Sequence, residues 1–296
     1  MRKYKHILFS VVIAANLISC ETEIPIDLPI PNTYVVVDAS IENGQFAKVA
    51  VTKTTPYFDT INITSLSAIF INDAIVILSD GVNTDTLQFT VDVTQFPPLF
   101  YKGTNPTLLG QEWKRYYLTV YALGDTLTAT TTIPGAVPID SLRWKQYGNN
   151  DSLGLGFIYF KEPDTLGNFY NLLSKRQGYP YFVPIPVQSI SNDEIGNGQY
   201  IEFTVPRPKA TPVWFNVATG DTTNQEGGVL FRRGDTIDVK LCSIDFHSFQ
   251  FLRTYNTAAN SFGNPFSAPS FILGNVNGGL GGFVGIGASY STYIVP

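Results

Sequence analysis

YVVVDASIENGQFAKVAVTK, residues 34–53, decides the fold class. Two runs rich in β-branched residues, 34–41 and 47–53, flank Glu42-Asn43-Gly44-Gln45. Asn-Gly between alternating apolar runs is the strongest short hairpin signal. The arrangement recurs outward: runs 74–79 and 84–90 flank Asp80-Gly81-Val82-Asn83, and runs 115–123 and 126–133 flank Gly124-Asp125. Six or seven short strands with little helical periodicity predict a mainly β chain whose first module, residues 33–135, is a β-sandwich of immunoglobulin or fibronectin type III character. Prolines and glycine interrupt the pairing ladder at Ile133-Pro134-Gly135-Ala136-Val137-Pro138 and set the expected module boundary there.

Beyond the boundary, residues 136–296 read as a second β-rich domain. Strand patterns run over 140–146, 153–160, 200–205, 229–233 and 236–243, while 168–176 is ambiguous. The spacing of Phe246, Phe249, Leu252 and Tyr255 predicts one helix near 245–260 with those residues on one face, capped by Asp245. Residues 254–296 carry no charged side chain and are rich in Gly, Asn, Ser and aromatics. They either supply closing strands, 282–286 and 290–295, or present part of their surface to a partner protein, since charge-depleted aromatic surface suits an interface core.

Upstream of the sandwich the text changes character. MRKYKHILFSVVIAANLISC, residues 1–20, has a basic start, a short apolar run and Leu17-Ile18-Ser19-Cys20, the layout of a signal peptide over 1–19 that ends in a bacterial lipobox. Cys20 is the expected lipidation site, carrying a thioether-linked diacylglyceryl group and an acyl chain such as palmitate, which together make a stable anchor. The apolar run is too short for a permanent span. Glu21 and Glu23 directly follow the anchor, as in surface-export signals that place a lipoprotein body on the cell exterior. Residues 20–32, with three prolines, read as the lipidated Cys and an extended tether.

Composition narrows the chemistry. The 296 residues contain 19 Lys+Arg against 24 Asp+Glu, and cleavage before Cys20 removes three cations, leaving 16 against 24. A net charge of -8 disfavours nucleic acid, whose phosphates demand a basic surface. After cleavage Cys242 is the one free thiol and His247 the one histidine. Multi-histidine zinc sites are thereby excluded, and His247 beside Asp245 and Ser248 cannot form a converging triad. Gly278-Gly279-Leu280-Gly281-Gly282-Phe283-Val284-Gly285 lacks the Lys-Ser/Thr ending of a phosphate loop. Asn149-Asn150-Asp151 and Asn192-Asp193-Glu194 could offer oxygens to calcium, yet neither matches a twelve-residue calcium loop. No catalytic residue, metal or cofactor is expected. Aromatic loops are the remaining candidates for contact with a ligand or partner: Phe100 and Tyr101, Tyr179, Tyr181 and Phe182, and Trp214 and Phe215.

Several stretches together resemble a family. Cys20-Glu21, Tyr34-Val35-Val36-Val37-Asp38 through Gln45, Thr55-Pro56-Tyr57-Phe58-Asp59, Ile139-Asp140-Ser141-Leu142, Gly234-Asp235-Thr236-Ile237 to Asp245, and Gly263-Asn264-Pro265-Phe266-Ser267-Ala268-Pro269 are similar to the Bacteroidota outer-membrane lipoproteins of the domain of unknown function 4249. The resemblance covers the whole chain after the leader and carries no catalytic residues with it. Such lipoproteins commonly accompany outer-membrane TonB-dependent barrels. The resemblance therefore implies a non-enzymatic accessory subunit of an outer-membrane β-barrel complex, serving transport or protein assembly and export, lipid-anchored and facing the exterior. A free-standing binder of glycan or peptide is the alternative, followed by a carboxylate-based hydrolase.

Overall fold

A nine-stranded sheet carries the molecule, and residues from both halves of the sequence build it. The computed structural model describes residues 32–55, 67–176, 178, 180–186, 188–194, 196–208, 229–261 and 271–296. Thr33–Pro296 forms one unit. Its strands are β1 (Val35–Glu42), β2 (Lys48–Lys53), β3 (Ile75–Ser79), β4 (Thr84–Thr86), β5 (Gln88–Val91), β6 (Leu99–Lys102), β7 (Arg115–Ala122), β8 (Asp125–Thr132) and β9 (Ser141–Tyr147). They continue with β10 (Asn150–Lys161), β11 (Phe169–Arg176), β12 (Val183–Pro184), β13 (Ile190–Asn192), β14 (Tyr200–Val205), β15 (Phe231–Arg232) and β16 (Thr236–Ile244). Helix α1 (Phe246–Ser261), β17 (Val276–Asn277) and β18 (Leu280–Ile294) complete the order. The chain is thus mainly β, with one long helix among the described residues.

The large sheet runs β12-β11-β16-β18-β1-β2-β6-β5, with β13 also on β11. Two smaller sheets cover its inner face. One, β17-β8-β7-β3-β4, closes a sandwich over β1 and β2. Alternation explains why: Val35, Val37, Ala39 and Ile41 of β1 and Val49 and Val51 of β2 point to the same side and meet Val76, Leu78, Tyr116, Leu118, Val120 and Leu127. The other sheet, with β9 and the order β14-β10-β15, covers β16 and β11, where Ile237, Val239, Leu241 and Leu172 meet Ile158, Phe160, Val205 and Phe231. The first core draws on residues 35–133 plus Phe283 and the second on residues 137–295, yet both rest on the same sheet.

β18 makes that sheet continuous. It pairs in parallel with β1, Val36 opposite Leu280 through Glu42 opposite Ile286, and antiparallel with β16, Thr236 opposite Ile294 through Ile244 opposite Ile286. The two closing strands expected over 282–286 and 290–295 are one fifteen-residue strand. Its glycines have a packing reason. A Cβ on Gly285 would lie 2.6 Å from the Thr132 carbonyl oxygen, and one on Gly287 2.2 Å from that of Pro134. The segment linking the two cores crosses directly over these positions, and only a residue without a side chain admits it.

Three local expectations need correction. The 84–90 run is two strands, because Leu87 donates its N–H to Val76 and is buried while the chain passes from the five-stranded sheet to the nine-stranded one. The third hairpin turns at Leu123 and Gly124, with φ of 52° and 88°, rather than at Gly124-Asp125. On α1, Phe249 and Phe251 are buried while Phe246 and Tyr255 are about half exposed.

Candidate functional site

The outer face of the large sheet is divided between the helix and an open cleft. Over β16 and β18, α1 lays Phe249 and Phe251 on Cys242, Ile244 and Val284. Its start is fixed by Asp245, whose Oδ1 accepts the Ser248 N–H at 2.7 Å while Oδ2 accepts from Thr131 Oγ1 and the Thr132 N–H at 2.8 and 3.0 Å. Capping and attachment to the first sandwich are thus the work of one carboxylate. Asp245 is fully engaged there, and His247 beside it is exposed.

Beside the helix, over β1 and β2, the sheet forms the floor of a cleft of about 500 Å³. The alternation that sends the valines of β1 inward sends Asp38, Ser40 and Glu42 outward. Ser40 pairs with Lys48 on β2, and Lys240 of β16 pairs with Tyr290 of β18, so register alone gathers these groups on one face. The walls are Gln95, Phe96 and Pro97 on one side and Pro180, Tyr181 and Phe182 on the other. Phe96 and Tyr181 approach at 6.4 Å between ring centres, and Phe182 meets Tyr290 edge-on at 5.6 Å.

Charge is ordered within the cleft. Glu42 accepts the Lys240 ammonium on one oxygen and the Tyr290 hydroxyl on the other. Burial alone would lower the Lys240 pKa, but the pull of Cys242, once ionised at high pH, and of Glu42 more than reverses this and raises it. Burial and the bond to Glu42 push the Tyr290 hydroxyl up to about 12. The Cys242 thiol, buried below, is pushed up to about 12 by desolvation and is protonated at neutral pH, a packing group rather than a nucleophile. Lys48 donates to Gln95 Oε1 at 2.8 Å and sits 5.9 Å from the Phe100 ring centre. Burial and the neighbouring cations Lys102 and Lys240 lower its pKa against the opposing pull of Glu42 and Asp92. Asp38 keeps access to water on the cleft floor, and the protein around it raises its carboxyl above the ordinary aspartate range by desolvation.

The aromatic residues singled out in the sequence separate. Phe100, Tyr181 and Phe182 come together in the cleft, although 81 positions part Phe100 from Tyr181. Tyr101 does not reach it. One step along the strand from Phe100, it points into the first core, where its hydroxyl accepts the Ala74 N–H and donates to the Ile71 carbonyl at 2.8 and 2.9 Å. Cys20, Glu21, Glu23, Tyr179, Trp214 and Phe215 lie outside the described residues. Sequence reasoning missed Asp38, Glu42, Lys48, Lys240 and Tyr290. The available signal was a charged residue at alternate positions of otherwise apolar strands, as in Val239-Lys240-Leu241, which marks the face opposite the core.

The proposed calcium loops serve the fold. Asp193 is buried, and its Oδ2 accepts the N–H groups of Gly167 and Asn168 at 2.7 and 3.0 Å. Nearby Glu162, 1% exposed, accepts from Tyr170 Oη, Asn168 Nδ2 and the Gly198 N–H at 2.8 to 3.0 Å. Both line a hollow of about 740 Å³ with their carboxylates satisfied by protein donors. At the other loop, the Asp151 carbonyl accepts from Arg233 Nε at 2.8 Å. Among the described residues no three His, Cys, Asp or Glu side chains are grouped to hold a metal ion.

A search among curated proteins finds no match to this chain. The family described as Domain of unknown function (DUF4249) matches residues 21–292, nearly the full length, and the chain belongs to that family.

Proposed function

We propose that this family member is a lipid-anchored binding protein of a bacterial outer membrane, of the kind found in Bacteroidota, and that it works as a non-enzymatic subunit beside an outer-membrane β-barrel. The observation that carries the binding part is the cleft: aromatic walls and fixed charges from seven separate segments of the chain, held on a rigid sheet. The lipobox ending at Cys20, the acidic Glu21 and Glu23 and the proline-rich tether support attachment to the membrane and an outward-facing body. Anchored in the same membrane, the protein meets its partner at high effective concentration, and a modest interface stays occupied. The barrel is a TonB-dependent transporter or a component of assembly and export machinery.

The test is purification of the full-length lipoprotein from its native outer membrane in mild detergent, followed by mass spectrometry of accompanying proteins. A stoichiometric barrel protein is the expected result. A lone lipoprotein under gentle extraction overturns the subunit reading. In that event the same cleft favours the second reading, a free-standing surface receptor for glycan or peptide.

A further inference from the structure

One end of the first sandwich gathers large apolar side chains that remain about half exposed. β1 starts at this end, and the pairings of Val36 with Leu280 and of Val35 with Lys53 bring the start of β18 and the end of β2 to it. A Cβ on Gly279 would lie 2.8 Å from the Val35 carbonyl oxygen and 2.1 Å from Leu127 Cδ2, which places the start of β8 there too. Tyr34 and Leu280 are exposed on the outer face of the large sheet, since Val35 and Phe283 point into the core. On the opposite face of the sandwich Ile75 of β3 and Tyr121 of β7 stand across from each other, both exposed. Between the two faces, at the turn from β7 to β8, lies Leu123, 60% exposed.

Leu123 is an unusual choice for that turn. It is held at φ 52°, where a bulky side chain is disfavoured and Asn or Gly is the ordinary residue. The chain pays this conformational cost for a leucine that is left facing water, so the return lies outside the chain. The opposite end of the sandwich differs. Its hairpins turn at Asn43-Gly44 and at Asp80-Gly81-Val82-Asn83, and the exposed Trp113 there lies over the linker, where a Cβ on Gly135 would come 2.3 Å from its ring.

The entry of the chain indicates what covers the apolar end. In the reading proposed above Cys20 carries the lipid, and residues 21–32 after it extend at most about 40 Å before they meet the body next to Tyr34. β1 alone is about 26 Å long. To bring the opposite end to the bilayer, the tether would have to run most of its length beside the sandwich, whereas the apolar end comes to it directly. Exposed Lys53, Asp73 and Asp125 border the cluster, one cation against two acids, so its attraction is to apolar lipid rather than to anionic headgroups. Tyrosine with leucine and isoleucine suits a bilayer interface, the hydroxyls staying at headgroup depth while the aliphatic groups enter below.

We propose that Tyr34, Ile75, Tyr121, Leu123 and Leu280 dock on the phospholipid surface in which Cys20 is anchored, with Leu123 inserted deepest. Docking orients the body and turns the Glu42 end of the cleft away from the membrane. The proposal rests on the lipid-anchor reading and is independent of the barrel partner.

The test uses the full-length acylated lipoprotein in phosphatidylcholine vesicles, with an environment-sensitive fluorophore on Leu123→Cys or, at the opposite end, on Val82→Cys. Cys242 is buried and the acyl group occupies Cys20, so the label goes to the introduced thiol. Nitroxide-bearing lipids are expected to quench the label at position 123 roughly threefold more than at position 82, with no loss at high salt. Ile75→Ser together with Tyr121→Ser should reduce the quenching at 123 by about half or more. Equal quenching at the two positions, or quenching that the double substitution leaves unchanged, shows that the tether alone brings the body near the lipid and overturns the proposal. If the double variant unfolds on melting, the comparison of the two label positions decides. A label shielded in native outer membranes but not in lipid vesicles identifies a protein occupant and overturns the proposal as well. The intact mass of the purified protein separates the readings: a chain without an acyl group on Cys20 removes the lipid anchor and this inference together, whereas an acylated chain whose position 123 stays in water removes this inference alone.

Discussion

Asp80 shows how much one side chain can organise. In the turn between β3 and β4 its Oδ1 accepts the N–H groups of Val82 and Asn83 at 2.9 and 2.7 Å, and Lys114 Nζ lies 2.5 Å from Oδ2. Burial raises the pKa of this carboxyl, but Lys114 and the turn N–H groups outweigh it and hold the carboxyl far below the usual aspartate range. Because the folded pKa is depressed, the stabilisation is complete above the unfolded aspartate value of about 3.9 and fades as pH falls through and below it. Asp80→Asn is expected to lower stability at pH 7 by about 1–2 kcal/mol. The gap between variant and parent should narrow as the pH drops below about 4, as followed by urea unfolding at pH 7 and pH 3. An equal gap at both values would show that the charge on Asp80 is immaterial. The turn was legible in Asp80-Gly81-Val82-Asn83, since each residue type suits a local backbone conformation. Lys114 was not, because its position just before β7, the strand beside β3 in the same sheet, follows from strand pairing rather than from neighbours in sequence. The same holds in the cleft: Glu42 could be read as outward-facing from the alternation of β1, while Lys240 and Tyr290 come to it only through the sheet.

At the level of elements, the helix was expected near 245–260 and spans Phe246–Ser261, with Asp245 as its cap. Its buried face was misread. Four aromatic and aliphatic residues at helical spacing suggest one stripe, but the helix lies over Gly282, where a Cβ would come 2.3 Å from the Phe251 ring. The missing side chain on β18 makes the room that Phe251 occupies, and Phe246 and Tyr255 turn outward. Periodicity within a helix cannot reveal a hollow on a strand thirty residues away. Asp245→Ala removes both the cap and the bonds to Thr131 and Thr132. A loss of about 2 kcal/mol is expected, with Asp245→Asn losing less because its amide oxygen can still cap. Thermal melting of the two variants checks the order, and equal losses would deny the capping role.

For the molecule as a whole, β18 is the decisive strand. It occupies the centre of the large sheet, bonded to β1 on one edge and β16 on the other, and Phe283 belongs to the first core while Val295 belongs to the second. Deleting residues 280–296 is therefore expected to expose strand edges in both halves and abolish cooperative unfolding, rather than unfold the second half alone. Circular dichroism with urea titration and limited proteolysis would read this. A truncated chain that keeps one protease-resistant half with a cooperative transition would show that the halves fold independently. The absence of charge after Thr254 now has a physical account over β18, whose residues 283–285 and 288 are buried against layers on both sides of the sheet. A charge there would be desolvated without a partner.

The sequence by itself determined what depends on neighbours along the chain: the β character from alternation, the first two hairpins from Asn-Gly and Asp-Gly turns, and the capped helix. Only the tertiary structure decided that two cores share one sheet, that β18 lies parallel to a strand some 240 positions earlier, and that Asp38, Glu42, Lys48, Lys240 and Tyr290 face one cleft. The reason is the range of the interactions. Turn and capping preferences act over a few residues and are written locally, whereas strand pairing uses the same backbone bonds for every partner. The choice among partners is settled by which complete packing buries the apolar faces and leaves the fewest charges stranded.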